Sequence, residues 1–232
     1  MNDSFRGGAI LNERMKITAD AAAMLFLRQG YSKTQISHIA KAVGVSVGTI
    51  YLDFSGKKEI LNFILASIID PDFVNHEFER PITNDLFIGI ETKIVTLFED
   101  IGTEFSRHLE NNAIGYTFGE LISDSFDLLA QYAVGCLFIE KNYFDFKYLS
   151  DHYREYRKKF FAAMRQYLSI FMDRGDVRQL EDLDLNVMYI TETLSWWAMD
   201  MRYTSFEISE ISLESAKKIC IDNITAAYKK QN

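Results

Sequence analysis

Proline occurs twice and cysteine twice in 232 residues, and no apolar run comes near the roughly 20 residues needed to cross a bilayer. Each scarcity removes a class of protein. So few prolines, with only twelve glycines and long runs of Leu, Ile, Phe, Met, Glu and Lys, argue against a turn-rich sheet protein and for helices. Cys136 and Cys220 have no second cysteine or histidine at metal-ligand spacing, so neither a disulfide framework nor a zinc site is expected, and both are read as buried, reduced thiols. Near the N-terminus, Arg14, Lys16 and Asp20 interrupt the only apolar stretch, which argues against a secretory signal. The reading is a soluble, cytoplasmic protein with no membrane partner. With 48% apolar residues the chain can bury a substantial core.

The net charge of −8 is unevenly spread. Residues 1–60 hold eight Lys or Arg against five acids, a net +3, which leaves −11 for the remainder. Only this mildly basic head is suited to approach a polyanion such as DNA.

Helical periodicity then organises the chain. Ile17, Ala21, Met24, Leu25 and Leu27 form a stripe closed by Gly30. Thr34 is placed to open a second helix with Ile36, Ile39, Ala40 and Val43 on its buried face, closed by Gly44. Ser46 caps a short third helix pinned by Val45 and Ile50, and Ser55-Gly56 precede the run Ile60, Leu61, Ile64, Leu65 and Ile68. Two helices joined tightly at Gly44 make a helix-turn-helix. Asp70-Pro71 and Arg80-Pro81 bracket a connection. Long stripes follow at 86–109, 114–129, 153–171 and 185–203, and a last helix at 213–228. The fold class is all-α: a three-helix head (residues 1–60) on a C-terminal bundle (residues 61–232), about nine helices in total, without repeats or independent linkers.

The stretch VGVSVGTIYLDFSGKKEIL (residues 43–61) places two glycines and small hydroxyl residues where a helix former would serve better. A helix that enters a major groove brings its backbone close to bases and phosphates, which favours small side chains on that face. Ser46, Val47, Gly48 and Thr49 meet that need, and Gly48 costs about 1 kcal/mol of helix stability relative to alanine.

Residues 17–61 resemble the DNA-binding head of TetR-type transcriptional repressors. The likeness runs through Ala21, Ala22, Leu25-Phe26, Gly30-Tyr31, Thr34, Ile39-Ala40, Gly44-Val45-Ser46, Gly48-Thr49-Ile50-Tyr51, Phe54 and Lys57. The resemblance implies that Thr34 contacts a phosphate, that Ser46, Val47 and Thr49 face the groove, and that Tyr51 and Lys57 grip the backbone. For each a plainer role stands beside it: helix caps for Thr34 and Ser46, a surface filler for Val47, a core aromatic for Tyr51, a surface lysine for Lys57. Gln35 departs from the pattern where a second threonine is common; it, Lys33 and Lys41 either add phosphate contacts or are solvated helix ends. Asp53 also departs from it, and either weakens the DNA grip or pairs with Lys57 or Lys58. His38 is read as exposed.

The same resemblance makes the body a ligand-binding and dimerisation domain. The partners expected are a double-stranded DNA operator, a second copy of the chain and a small, lipophilic effector; no cofactor and no metal are expected. Phe98, Phe105, Phe118, Phe126 and Trp196 are candidates for an apolar pocket, against the plainer reading of helical aromatics as core. Glu192, interrupting the apolar stripe between Met188 and Trp196, is either structurally paired or poised for a ligand donor. The stripes at 153–171 and 185–203 are the candidate dimer seam.

The function so implied is a ligand-responsive repressor, with a ligand-dependent activator or a protein-binding module as the alternative. No catalytic motif competes: no histidine has a glutamate three residues before it, and no nucleophile elbow, P-loop or dinucleotide fingerprint occurs. The chain is read as a non-enzyme.

Overall fold

The computed structural model describes residues 3–205 and 211–230, with side chains described from residue 12. These residues form helices and isolated bridges but no strand. By its internal contacts the chain divides into two compact units, one of residues up to Leu97 together with Val134–Ser150, the other of Phe98–Ala133 together with the residues from Asp151 onward.

The first unit begins with α1 (Asp3–Gln29). Its buried residues are Met15, Thr18, Ala19, Ala22, Phe26 and the expected Leu27, whereas Ile17 is exposed and Ala21, Met24 and Leu25 are half-buried. Gly30, at φ +89°, ends the helix in a conformation that costs glycine nothing.

Helix α2 (Ile36–Val43) buries Ile39 and Ala40. Gly44, at φ +78°, closes it by donating its N–H to Ala40 O at 2.9 Å. Helix α3 (Val47–Asp53) is capped by Ser46, whose Oγ accepts the Thr49 N–H at 3.1 Å, and is anchored by Ile50. Val45 is only half-buried, so Ile50 is the main anchor.

Helix α4 (Lys57–Ile69) buries Ile60 through Leu65 without a gap. The connection after it is ordered by hydrogen bonds to the end of α3: Ile82 N–H donates to Asp53 O at 2.8 Å, and Ser55 N–H donates to Ile82 O at 2.9 Å. Beneath it, Phe63 meets Phe54, Phe73 and Phe78 with ring centroids 5.4 to 5.6 Å apart.

A helix was expected from Leu86, but a 3-10 turn (Asn84–Phe87) and Gly89 at φ +77° intervene, so α5 spans Ile90–Ser106. The first unit also contains most of α7 (Ala133–Lys141), absent from the sequence reading. Cys136 to Ile139 are all buried in succession, so no polar face reveals the period. Phe138 there meets Phe26 and Tyr31, and Asn142 Oδ1 accepts the Tyr31 N–H at 2.7 Å.

In the second unit, α6 (Phe118–Gln131) starts at a reciprocal cap between Thr117 and Glu120. Ile114, expected in its stripe, precedes the helix and is 73% exposed. Helix α8 (Lys147–Arg174) ends before Gly175 at φ +80°. Helix α9 (Leu183–Ser195) runs through a π-turn (Trp196–Asp200) into the short α10 (Met201–Tyr203), and α11 (Leu213–Tyr228) follows. Leu121, Ile122 and Phe126 of α6, Met164, Tyr167 and Phe171 of α8, and Val187, Ile190 and Leu194 of α9 make the core. Cys136 and Cys220 are buried and not joined in a disulfide, one lying in each unit. Among the described residues no single helix is long and apolar enough to cross a membrane.

Candidate nucleic-acid interface

The α2-turn-α3 element has one locked side and one bare side. Ile39, Ala40 and Ile50 are buried, and α2 packs on α1. Facing outward are Gln35, Ser46, Val47 and Gly48, with Tyr51 48% exposed and Thr49 half-buried. Ser46 Oγ and Thr49 Oγ1 are 2.9 Å apart, so the cap that starts α3 presents two hydroxyls together at its outer end. A β-carbon on Gly48 meets only Ser46 Oγ, at 3.6 Å, an ordinary contact. No steric need inside this chain therefore explains the glycine. Leu52, 67% exposed, adds an apolar contact surface that the sequence reading did not single out. Val47 and Tyr51 are too exposed to be core residues, and Ser46 is a cap as well as a surface group.

Three expectations are corrected. Thr34 is buried, and its hydroxyl donates to Gly30 O at 2.8 Å and accepts from Gln29 Nε2 at 3.1 Å, so it fixes the α1–α2 turn instead of meeting a phosphate. The N-cap of α2 falls one residue later, at Gln35.

Lys57 turns its ammonium inward. Nζ donates to Tyr31 O at 2.8 Å and Thr34 O at 2.9 Å and sits 4.1 Å from the centroid of the Tyr31 ring. Desolvation lowers the Lys57 pKa, partly opposed by the charge of Asp145. The same burial raises that of the Tyr31 phenol, with Glu59 and Asp145 adding to it.

Asp53 pairs with neither Lys57 nor Lys58. It is fully buried and gripped by Arg14, whose Nε and Nη2 reach its two oxygens at 2.7 and 2.5 Å, while Arg80 Nη1 lies 3.4 Å away. The hydrogen bond to Asp53 raises the Arg14 pKa against the opposing effect of desolvation. The carboxylate is thus withdrawn from any approaching phosphate. Arg14 and Arg80 were missed because they lie 39 and 27 residues away along the chain, and a buried carboxylate without a local partner is their one sequence signal.

In the second unit the six pocket candidates sit in different settings. Phe118 and Phe126 are core residues. Phe105 packs on Phe160 and Tyr167, and Phe98 stacks on Tyr156 at 5.4 Å. Glu192 is exposed and paired with Arg157 at 3.1 Å, the structural alternative, while Trp196 is 43% exposed. Phe98 alone of the six lines an open groove of about 810 Å³ between α5 and α8, with Gly102, Leu109, Ala162 and Lys159. On α9 and at the start of the π-turn after it, Leu185, Met188, Tyr189 and Trp196 form an exposed, largely apolar stripe.

Residues 19–63 match the family model described as bacterial regulatory proteins, tetR family. Over 72 residues, 31% of the chain, the sequence is 40% identical to the HTH-type transcriptional regulator SrpR of Pseudomonas putida and covers 30% of that protein. Over 42 residues, 18% of the chain, it is 50% identical to the fatty acid metabolism regulator protein of Bacillus subtilis (strain 168), covering 22% of it. The chain thus spans less than a third of the length of these two curated relatives. The solved structure of the ketosteroid transcriptional regulator KstR2 of Mycobacterium tuberculosis aligns over 94% of this chain and 96% of its own with a TM-score of 0.52 at 16% identity, a likeness of fold alone.

Proposed function

We propose, for a chain whose head belongs to the tetR family of bacterial regulatory proteins, that it is a ligand-responsive repressor: a homodimer that holds operator DNA through α3 and releases it when a small, lipophilic effector enters the body. The observation that carries this reading is the bare outer face of α3. Ser46, Val47, Gly48 and Tyr51 lie outward, while Thr34 and Lys57 donate to carbonyls inside the head. A glycine with free space around it has its reason in a surface that comes later, and a groove-deep approach of backbone to duplex is such a surface.

The division at residues 60/61 belongs to this proposal: residues 1–60 read DNA, and residues 61–232 dimerise and bind the effector. One seven-residue helix reads too few base pairs for specificity, so two heads are needed, about 34 to 36 Å apart on the duplex. The exposed stripe Leu185, Met188, Tyr189 and Trp196 supports α9 as part of the dimer seam. Effector release is a difference in ligand affinity between two body states, which bounds its size. The aromatic content of the body supports a lipophilic effector, and such a regulator works in the cytoplasm.

The test is binding of the full-length protein to DNA from upstream of its own gene and to unrelated DNA, across a salt series. The reading requires a saturable specific site and a steep salt dependence. Tyr51→Ala should weaken specific binding and leave the dimer intact; equal affinity for both DNAs in the wild type would end the repressor reading.

A further inference from the structure

We propose that Arg80, seated beside Arg14 at the C-terminal end of α3, is a phosphate-binding residue for the DNA backbone; the proposal rests on the operator-binding reading above.

Asp53 contributes one negative charge, wholly inside the protein, and Arg14 alone satisfies it through a two-point grip on both oxygens. Paired guanidinium and carboxylate forks of this kind are the strong form of the interaction. Arg80 is therefore surplus. Among the described residues its one ion-pair contact is to Asp53 Oδ1 at 3.4 Å, a long and single contact. A guanidinium has five N–H donors, so most of those on Arg80 remain unused by that contact.

The side chains of Arg14 and Arg80 are 30% and 31% exposed while that of Asp53 is 1% exposed, so the triad shows solvent two cations and no anion. Its formal charge is +1. Glu77 and Glu79 are exposed on the same segment, so any pull on a phosphate comes from where this guanidinium is held and not from the charge of its surroundings.

The place is fixed by backbone. Ile82, two residues after Arg80, is buried and bonded on both sides to α3: its N–H reaches Asp53 O and its carbonyl accepts from Ser55. Arg80 is thereby carried at the end of the helix whose preceding residues, Tyr51 and Leu52, lie on the outer surface. The arrangement extends the interface beyond the helix-turn-helix to a segment more than twenty residues downstream, where an arginine is positioned by bonds to the residues at and just after the end of α3. A planar, permanently charged fork suits a phosphodiester oxygen.

The experiment compares full-length wild type, Arg80→Gln and Arg80→Lys on upstream and unrelated DNA across a salt series, with thermal melting of each protein. Glutamine keeps a donor for Asp53 and removes the charge. A backbone contact predicts that Arg80→Gln loses about 3- to 10-fold in affinity on both DNAs and lowers the slope of log affinity against log salt by about one, while Arg80→Lys keeps most of the slope. A slope unchanged in Arg80→Gln, whether affinity falls through a lower melting temperature or stays the same, overturns the assignment and leaves operator binding standing. Wild-type protein that binds neither DNA overturns both.

Discussion

The Lys57 ammonium closes the turn between α1 and α2 by donating to the carbonyls of Tyr31 and Thr34 while lying over the Tyr31 ring. A residue of α4 thereby locks the loop that precedes α2, and the recognition element inherits its orientation from a half-buried cation. Lys57→Met keeps the length of the side chain and removes both hydrogen bonds. It should destabilise the protein by about 1–3 kcal/mol, since two carbonyls lose a charged donor and the ring loses its cation. Chemical denaturation measures this. If DNA binding weakens in Lys57→Met, the salt slope should stay as in wild type, because this ammonium points inward and neutralises no phosphate.

Gly48→Ala separates folding from function. Its new methyl meets nothing closer than Ser46 Oγ at 3.6 Å, and the position lies inside a helix. Stability should rise by about 0.5–1 kcal/mol from the lost backbone freedom of the unfolded chain. Specific DNA affinity should fall at the same time, because the methyl stands on the face offered to the groove. A variant more stable and equally tight on DNA would remove Gly48 from the interface.

Met188 is half-exposed on α9 within the stripe that includes Leu185, Tyr189 and Trp196. Met188→Arg should leave the monomer within about 0.5 kcal/mol of wild type, as surface substitutions do. In a dimer seam the same change buries a charge without a partner. Sedimentation equilibrium should show a monomer, and operator binding should be lost with it. A dimer of undiminished affinity would place the seam elsewhere.

Burial pushes the Cys220 thiol from 9.0 up to about 11. Because the folded pKa lies above the unfolded one, the neutral thiol stabilises the fold fully below about pH 9, and that contribution is lost as pH rises toward 11. Stability should decline across this window less steeply in Cys220→Ala than in wild type. The thiol should also resist alkylation at neutral pH until the protein is unfolded.

How much of this was legible in the sequence depended on how local the physics is. Gly44 and Ser46 act on residues three to four positions away, so the turn and the cap could be read directly. Thr34 was read as a cap or a phosphate ligand because both use an exposed hydroxyl; its partners, Gln29 and Gly30, follow from a turn geometry that periodicity does not give. Asp53 was misplaced for a related reason. Its partners come from α1 and from the segment beyond α4, and no local pattern connects them. In the body, a stripe of aromatics told that Phe105 and Phe126 face inward but not whether they meet a cavity or one another, and Phe105 meets Phe160 and Tyr167. Helix α7, buried through Cys136–Ile139, left no amphipathic trace at all.

In the operator-binding reading, two copies of α3 enter successive turns of one duplex. Hydroxyl-radical footprinting of the full-length protein on its own upstream DNA tests it most directly. The account predicts two protected patches on one face of the helix, about 34 to 36 Å apart and related by two-fold symmetry, with both lost together in Tyr51→Ala. A single protected patch, or a paired footprint unchanged in Tyr51→Ala, would contradict it.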